Sequence, residues 1–154
     1  MQTRLDDWDR RFLAMAKLIA SWSKDPSTQV GCVITDPCYR IVAAGFNGFP
    51  RGVKDTEARL NNREFKYKFT QHAERNAISF AVRDLTGCTA YTYPLPPCAQ
   101  CAGALIQAGV TRVVSLPLSK NHERWQADYL IALTMYEEAG IISDFENIEF
   151  PKLV

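Results

Sequence analysis

The chain has 154 residues, the length of one compact domain. Its 47% hydrophobic and 23% charged residues are ordinary globular composition and exclude a disordered chain. A formal net charge of +1 supplies no strong field for a nucleic-acid or membrane partner, though a small anionic substrate needs only a local cluster of positive charge.

No run of about 18 apolar residues occurs, so no membrane span is expected. The stretch MQTRLDDWDRR is charged and lacks an apolar signal core, so the expected location is the cytoplasm, or the host's if the chain is viral. Repeats, low-complexity tracts and linkers are absent. In chain order, residues 8–22 (WDRRFLAMAKLIASW) put Phe12, Met15, Ala16 and Ile19 on one helical face. STQVGCVITD reads as a strand, DPCYR as a turn, and IVAAGFNG as the hairpin partner. Residues 48–70 are polar, irregular and basic. Such a length is unusual for a loop in a compact domain and implies function or partial helix. ERNAISFAVRD is a helix starting near His72, and GCTAYTYP is a strand. AQCAGALIQAG is a helix that stops at Gly109, VTRVVSLP is a strong strand, and ERWQADYLIALTMYEEAG is a long helix. The tail IISDFENIEF is able to add one short strand. The order αββαβαβα implies an α/β layered fold with a partly parallel sheet, as a single domain over residues 1–154.

The five cysteines are Cys32, Cys38, Cys88, Cys98 and Cys101, and an odd count argues against a disulfide framework. Cys98 and Cys101 fall in PPCAQC, just before an apolar helical run. Two cysteines three apart at a helix start turn both sulfurs toward one point, and the helix dipole favours their thiolates. Zinc suits such a pair, but so does a buried or a redox pair, and the spacing alone does not choose. His72, one of two histidines, also precedes a helix. Parallel helices with adjacent N-termini would unite His72, Cys98 and Cys101, leaving one position of a tetrahedral zinc for water. His122, in KNHERW, reads as a solvated loop or helix-start residue. Glu74, two residues beyond His72, is placed to carry a proton from that water to a substrate nitrogen. Alone, it would read as a first-turn glutamate favoured by the dipole. Ser23, Lys24, Ser27 and Thr28 gather donors suited to a phosphate, or form a solvated turn. Asn47 with Gly48 is also a common turn dipeptide.

H-x-E together with P-C-x-x-C is the signature of zinc nucleobase deaminases. SKDPSTQVGCVI, GFNGFPRG, HAERNAI, PPCAQCAGALIQAGVTRVV and EEAGI follow in order over nearly the whole chain. The sequence therefore resembles the cytidine and deoxycytidylate deaminase superfamily, and within it the deoxycytidylate deaminases, phage forms included. That resemblance implies a three-layer αβα fold around a mixed five-stranded sheet. It implies zinc-dependent hydrolysis of dCMP to dUMP and ammonia, feeding thymidylate synthesis. It gives His72, Cys98 and Cys101 as zinc ligands and Glu74 as the proton carrier. It places Asn47 at the sugar or base, the Ala73 amide at the pyrimidine carbonyl, Ser23 and Ser27 toward the 5′-phosphate, and Arg83 near the nucleotide. It further implies a homohexamer activated by dCTP with magnesium and inhibited by dTTP, with Asn47, Gly48 and Arg51 at the effector. Residues 48–70 contain no His or Cys for a second, structural zinc, so one zinc per chain is expected.

Two departures stand out. GCTAYTYPLPPC is one residue longer than the family pattern, which leaves base and sugar selectivity open, and Arg75 replaces an apolar or acidic residue. The competing readings are a dCTP or bifunctional dCMP/dCTP deaminase, a deaminase of guanine, a pterin-like ring or a tRNA base, and a noncatalytic zinc-binding module. Near-neutral charge weighs against the RNA version.

Overall fold

The computed structural model describes residues 5–152; the first four residues of the charged N-terminal stretch and the last two of the chain lie outside them. The elements are α1 (Asp7–Ala20), β1 (Gly31–Thr35), β2 (Ile41–Phe46), α2 (Glu57–Asn61), α3 (Arg63–Phe69), α4 (Ala73–Ala81), β3 (Thr89–Tyr93), α5 (Ala99–Gln107), β4 (Arg112–Ser115), a 3₁₀ turn (Lys120–Trp125), α6 (Gln126–Ala139) and β5 (Ile142–Phe145). The sheet order is β2-β1-β3-β4-β5. β1 is antiparallel to both β2 and β3, whereas β3, β4 and β5 are parallel. The mixed five-stranded α/β architecture expected from the sequence is the one observed, and the tail does supply the fifth strand.

Period-two alternation sorts the strands between two cores. Val33, Tyr91 and Val114 face α1, where Phe12, Leu13, Ala16 and Ile19 form the helical stripe. Cys32, Ile34, Ala90 and Val113 face the other way, into a core shared with Ala77 of α4, Leu105 of α5 and Tyr136 of α6. One helix therefore covers one face of the sheet and three cover the other. α1 starts at a capping box: the Asp9 amide donates to Asp6 Oδ1 at 2.8 Å and the Asp6 amide to Asp9 Oδ2 at 3.0 Å.

The structure differs from the sequence reading in three places. β1 begins at Gly31 and not at Ser27, because the Val30 amide bonds the Asn47 side chain in place of a strand partner. α4 ends at Val82 in the left-handed region (φ 48°), so Arg83 and Asp84 lie beyond it. Residues 48–70 contain two short helices capped by Thr56 and Asn62. This excursion is closed at its base by a bridge, with the Gly48 amide donating to Gln71 O at 3.1 Å and the Gln71 amide to Gly48 O at 2.8 Å.

Two contacts fix the layers. Gly45 of β2 lets α4 lie directly on the sheet: a Cβ there would fall 2.5 Å from Ala77 N and 2.6 Å from Ala73 O. On the far side, Arg112 joins Asp9 of α1 to Asp144 of β5, donating to Asp9 at 2.7 and 2.9 Å and to Asp144 at 2.8 Å. The Tyr91 hydroxyl also donates to Asp9, at 2.9 Å. Burial raises the Asp9 carboxyl pKa, but hydrogen bonds from Arg112, the Asp6 backbone and Tyr91, together with the Arg112 charge, outweigh it and leave the value lowered.

Gly45→Ala should destabilise the protein by about 1–3 kcal/mol, because the added methyl meets backbone that has no rotamer to yield; denaturant titration of the variant measures it. Arg112→Met should cost on the order of 3 kcal/mol by stranding buried carboxylates. In the wild type, the Asp9 contribution should be fully present above the ordinary aspartate value of about 3.9 and vanish as pH falls through the lowered folded value. Unfolding free energies measured from pH 7 down to pH 2 should show that loss in the wild type and a flatter profile in Arg112→Met.

Candidate active site

β2 and β3 run in the same direction on either side of β1. After β2 the chain makes the α2–α3 excursion, which the Gly48–Gln71 bridge returns to the end of β2, and then enters α4; α5 is entered after β3, so α4 and α5 begin at the same end of the sheet. His72 is the N-cap residue of α4, and Cys98 is the N-cap residue of α5 with its sulfur 3.5 Å from the Cys101 amide. The Asn76 side chain donates to Phe46 O at 2.8 Å and pins the first turn of α4 to the end of β2. The Asp128 carboxylate accepts the Ala99 amide at 2.8 Å and holds the first turn of α5 from α6.

His72 Nδ1 lies 3.5 Å from Cys98 Sγ and 3.3 Å from Cys101 Sγ. The three ligand atoms all fall within 4.8 Å of one another. Tetrahedral zinc, with bonds of about 2.0–2.1 Å to nitrogen and 2.3 Å to sulfur, requires nitrogen–sulfur separations of about 3.6 Å. The donor set and its spacing fit zinc with small adjustment. Cys101 is buried, Cys98 half-buried, and His72 open to the pocket.

The site residues are coupled electrostatically. A hydrogen bond from Cys101, foremost, lowers the Cys98 thiol pKa to about 4, with further help from His72. The Cys101 thiol is raised, first by that same hydrogen bond and then by burial. His72 is raised, chiefly by its hydrogen bond with Cys98. Glu74 is 4% exposed in the first turn of α4, and burial pushes its carboxyl up against the opposing His72 charge. Cys32 and Tyr136 form a buried floor, and burial above all keeps their thiol and phenol protonated.

A cavity of about 550 Å³ opens over these residues. That volume is within the range of small-molecule sites, about 300–1,000 Å³. Of the sequence-nominated residues, its wall brings together His72, Ala73, Glu74, Cys98, Asn47, Ser27 and Thr28. Ala73 is the first residue of α4, where backbone amides have no intrahelical acceptor. Asn47 accepts the Val30 amide at 2.8 Å and donates to Thr28 O at 2.9 Å, so its side chain also sets the adjoining loop. Ser23 is buried behind that loop, donating to Asn47 O at 2.8 Å and accepting the Asp25 amide at 3.2 Å. Lys24 is turned to a smaller cavity of about 230 Å³, pairing with Asp55 at 2.8 Å, where Asn47 and Gly48 also lie. Arg51 packs over Phe80, outside both cavities. Arg83 is exposed past the far end of α4, bonded to Asp84 O, and is not part of the cavity wall. His122 accepts or donates to Ser119 at 2.6 Å, away from the cluster.

The sequence reading does not single out Arg63, Lys66, Arg124, Asp128 or Tyr129, all of which line the larger cavity. A signal for two of them exists: REFKYKF sets Arg63, Lys66 and Tyr67 at helical spacing i, i+3, i+4.

Residues 6–116 match the family model described as the cytidine and deoxycytidylate deaminase zinc-binding region. An "uncharacterized deaminase in luxG 3′ region" from Aliivibrio fischeri is 46% identical over 138 residues, 89% of this chain and 92% of that protein. Human deoxycytidylate deaminase is 36% identical over 141 residues, 88% of this chain and 77% of its own. The crystal structure of dCMP deaminase from cyanophage S-TIM5 in complex with dCMP and dUMP shares the fold, with a TM-score of 0.70 at 20% identity over 93% of this chain and 99% of that one. A zinc-type ligand cluster, a buried glutamate and a match across most of the sequence converge: the chain belongs to the cytidine and deoxycytidylate deaminase family.

Proposed function

We propose that this chain hydrolyses dCMP to dUMP and ammonia, a step that supplies thymidylate synthesis. The observation that carries the reading is the meeting of His72, Cys98 and Cys101 in one cluster, with His72, Cys98 and buried Glu74 on the cavity wall. The human and mouse relatives named deoxycytidylate deaminase, both 36% identical, support the choice of nucleotide.

His72, Cys98 and Cys101 would hold one zinc. Zinc bound there would act as a Lewis acid and make water nucleophilic near neutral pH. Glu74 takes the water proton on its carboxylate and delivers it to pyrimidine N3. Water oxygen adds at C4, the C4–amino bond breaks, and Glu74 assists protonation of the departing nitrogen. The balance is dCMP plus water giving dUMP plus ammonia. The Ala73 amide offers a donor to the 2-oxo group, and Asn47, with capacity left on its amide, lies where the sugar would pass. Ser27 and Thr28 mark the phosphate end.

The family resemblance extends the proposal to a cytoplasmic homohexamer and to dCTP–magnesium and dTTP as effectors. Asn47 and Gly48 border the smaller cavity, and Arg51 lies close to them in the chain. No helix among the described residues is long and apolar enough to cross a membrane.

Ammonia release from cytosine, deoxycytidine, dCMP and dCTP tests the assignment; turnover should be best on dCMP, and none on any of the four would sink it. Glu74→Gln keeps shape and loses the proton carrier. It should retain fold and zinc while turnover falls by ~10²–10⁴-fold or more, and a variant keeping over about a tenth of wild-type activity would remove Glu74 from the role. Metal analysis should return one zinc per chain, falling well below one in Cys101→Ser. Chelation should abolish turnover, with recovery on adding zinc back.

A further inference from the structure

We propose that Lys66 is the residue that reads the 5′-phosphate and so sets the preference for nucleotide over nucleoside. The inference rests on the nucleotide reading above and assigns it to a side chain that the motif pattern leaves out.

Lys66 is one of the few charged residues buried in this protein, 7% exposed, and it lies on the wall of the cavity that holds His72 and Glu74. Burying an ammonium is costly unless it is compensated. Its compensation is partial. Lys66 Nζ donates to Asp25 Oδ1 at 3.2 Å and to Ser27 Oγ at 2.9 Å. Asp25 Oδ1 already accepts the Ser27 amide at 2.7 Å and the Thr28 amide at 3.1 Å, so its charge is spread over three donors. An ammonium has three N–H donors, and two are engaged.

The Ser27 hydroxyl carries the argument further. Its oxygen accepts from Lys66, which leaves its own proton free to be given elsewhere. Ser27 is exposed and lines the cavity. Lys66 and Ser27 thus present adjacent donors, one of them charged, on a wall otherwise suited to a pyrimidine. An anion with several acceptor oxygens answers that pattern, and charge-assisted bonds of this kind are the strong ones.

The other cations on the wall are differently placed. Arg63 is exposed and engages Tyr67, and Arg124 is exposed and lies over Trp125. Lys66 is the buried one, so its charge is the least screened by water.

The test compares kcat/KM for dCMP and deoxycytidine in wild type, Lys66→Met, Lys66→Gln and Lys66→Arg, with inorganic phosphate as a competitor against dCMP. The dCMP-to-deoxycytidine ratio should fall on the order of 10²-fold in Lys66→Met and Lys66→Gln, the loss expected for one charge-assisted contact. Lys66→Arg should recover it to within about tenfold, and phosphate should compete in wild type but not in the neutral variants. Glutamine can still donate to Asp25 and Ser27, so Lys66→Gln separates charge from tethering and decides the matter if Lys66→Met does not fold. A ratio unchanged in the neutral variants, or equal losses on both substrates, would overturn the role of Lys66. A wild type with no preference for dCMP would overturn the nucleotide reading itself, which is a different failure.

Discussion

Everything at the site depends on two helices starting at the same end of the sheet. That follows from strand direction, since β2 and β3 flank β1 and both run opposite to it. With the α2–α3 excursion closed by the Gly48–Gln71 bridge at the end of β2, α4 and the helix that follows β3 open toward one point, and each brings a partial positive charge from unpaired amides. Thiolates and a carboxylate are the groups such a point favours. Of these groups Cys98 is held as the thiolate, whereas burial raises Glu74 and the hydrogen bond with Cys98 raises Cys101. Close packing of α4 on Gly45 keeps His72 from drifting away from the sulfurs.

Burial is graded across the site, and the grading matches the division of labour. Cys101 and Glu74 are buried, while His72 faces the opening. Cys32 and Tyr136, buried in the core behind Glu74, are kept protonated mainly by that burial. An open histidine leaves room on the pocket side for water and substrate. The cavity wall carries both signs of charge: Glu74 and Asp128 come from α4 and α6, and Lys66, paired with Asp25, comes from α3.

Much of this was legible in the sequence for a physical reason: the ligand types are rare. With only two histidines and one close cysteine pair, H-x-E and P-C-x-x-C leave few ways to build a metal centre. The α1 stripe and the strand alternation were equally plain, because they are periodic. Lys66 was hidden by the opposite circumstance. It sits in a charge-rich run, REFKYKF, where one lysine among several looks solvated, and only the docking of α3 against the 25–28 loop buries it. The start of β1 at Gly31 is not visible in the sequence, because apolar pattern does not reveal a side chain taking a backbone partner's place. Asn47 does this for Val30, and nothing local to residues 27–30 announces it. The end of α4 at Val82 is of the same kind, a left-handed valine that no propensity favours.

Asn47 shows how the two ends of the cavity are joined. Its side-chain amide donates to Thr28 O and accepts the Val30 amide, and its backbone carbonyl accepts the Ser23 hydroxyl. Ser23 in turn accepts the Asp25 amide, and Asp25 holds Ser27, Thr28 and Lys66. This is one continuous set of hydrogen bonds from the end of β2, where α4 is anchored, to the lysine on α3. Asn47 therefore ties the end of β2 to the 25–28 loop, and through that loop to Lys66 on α3, so the two sides of the cavity are held at a fixed separation.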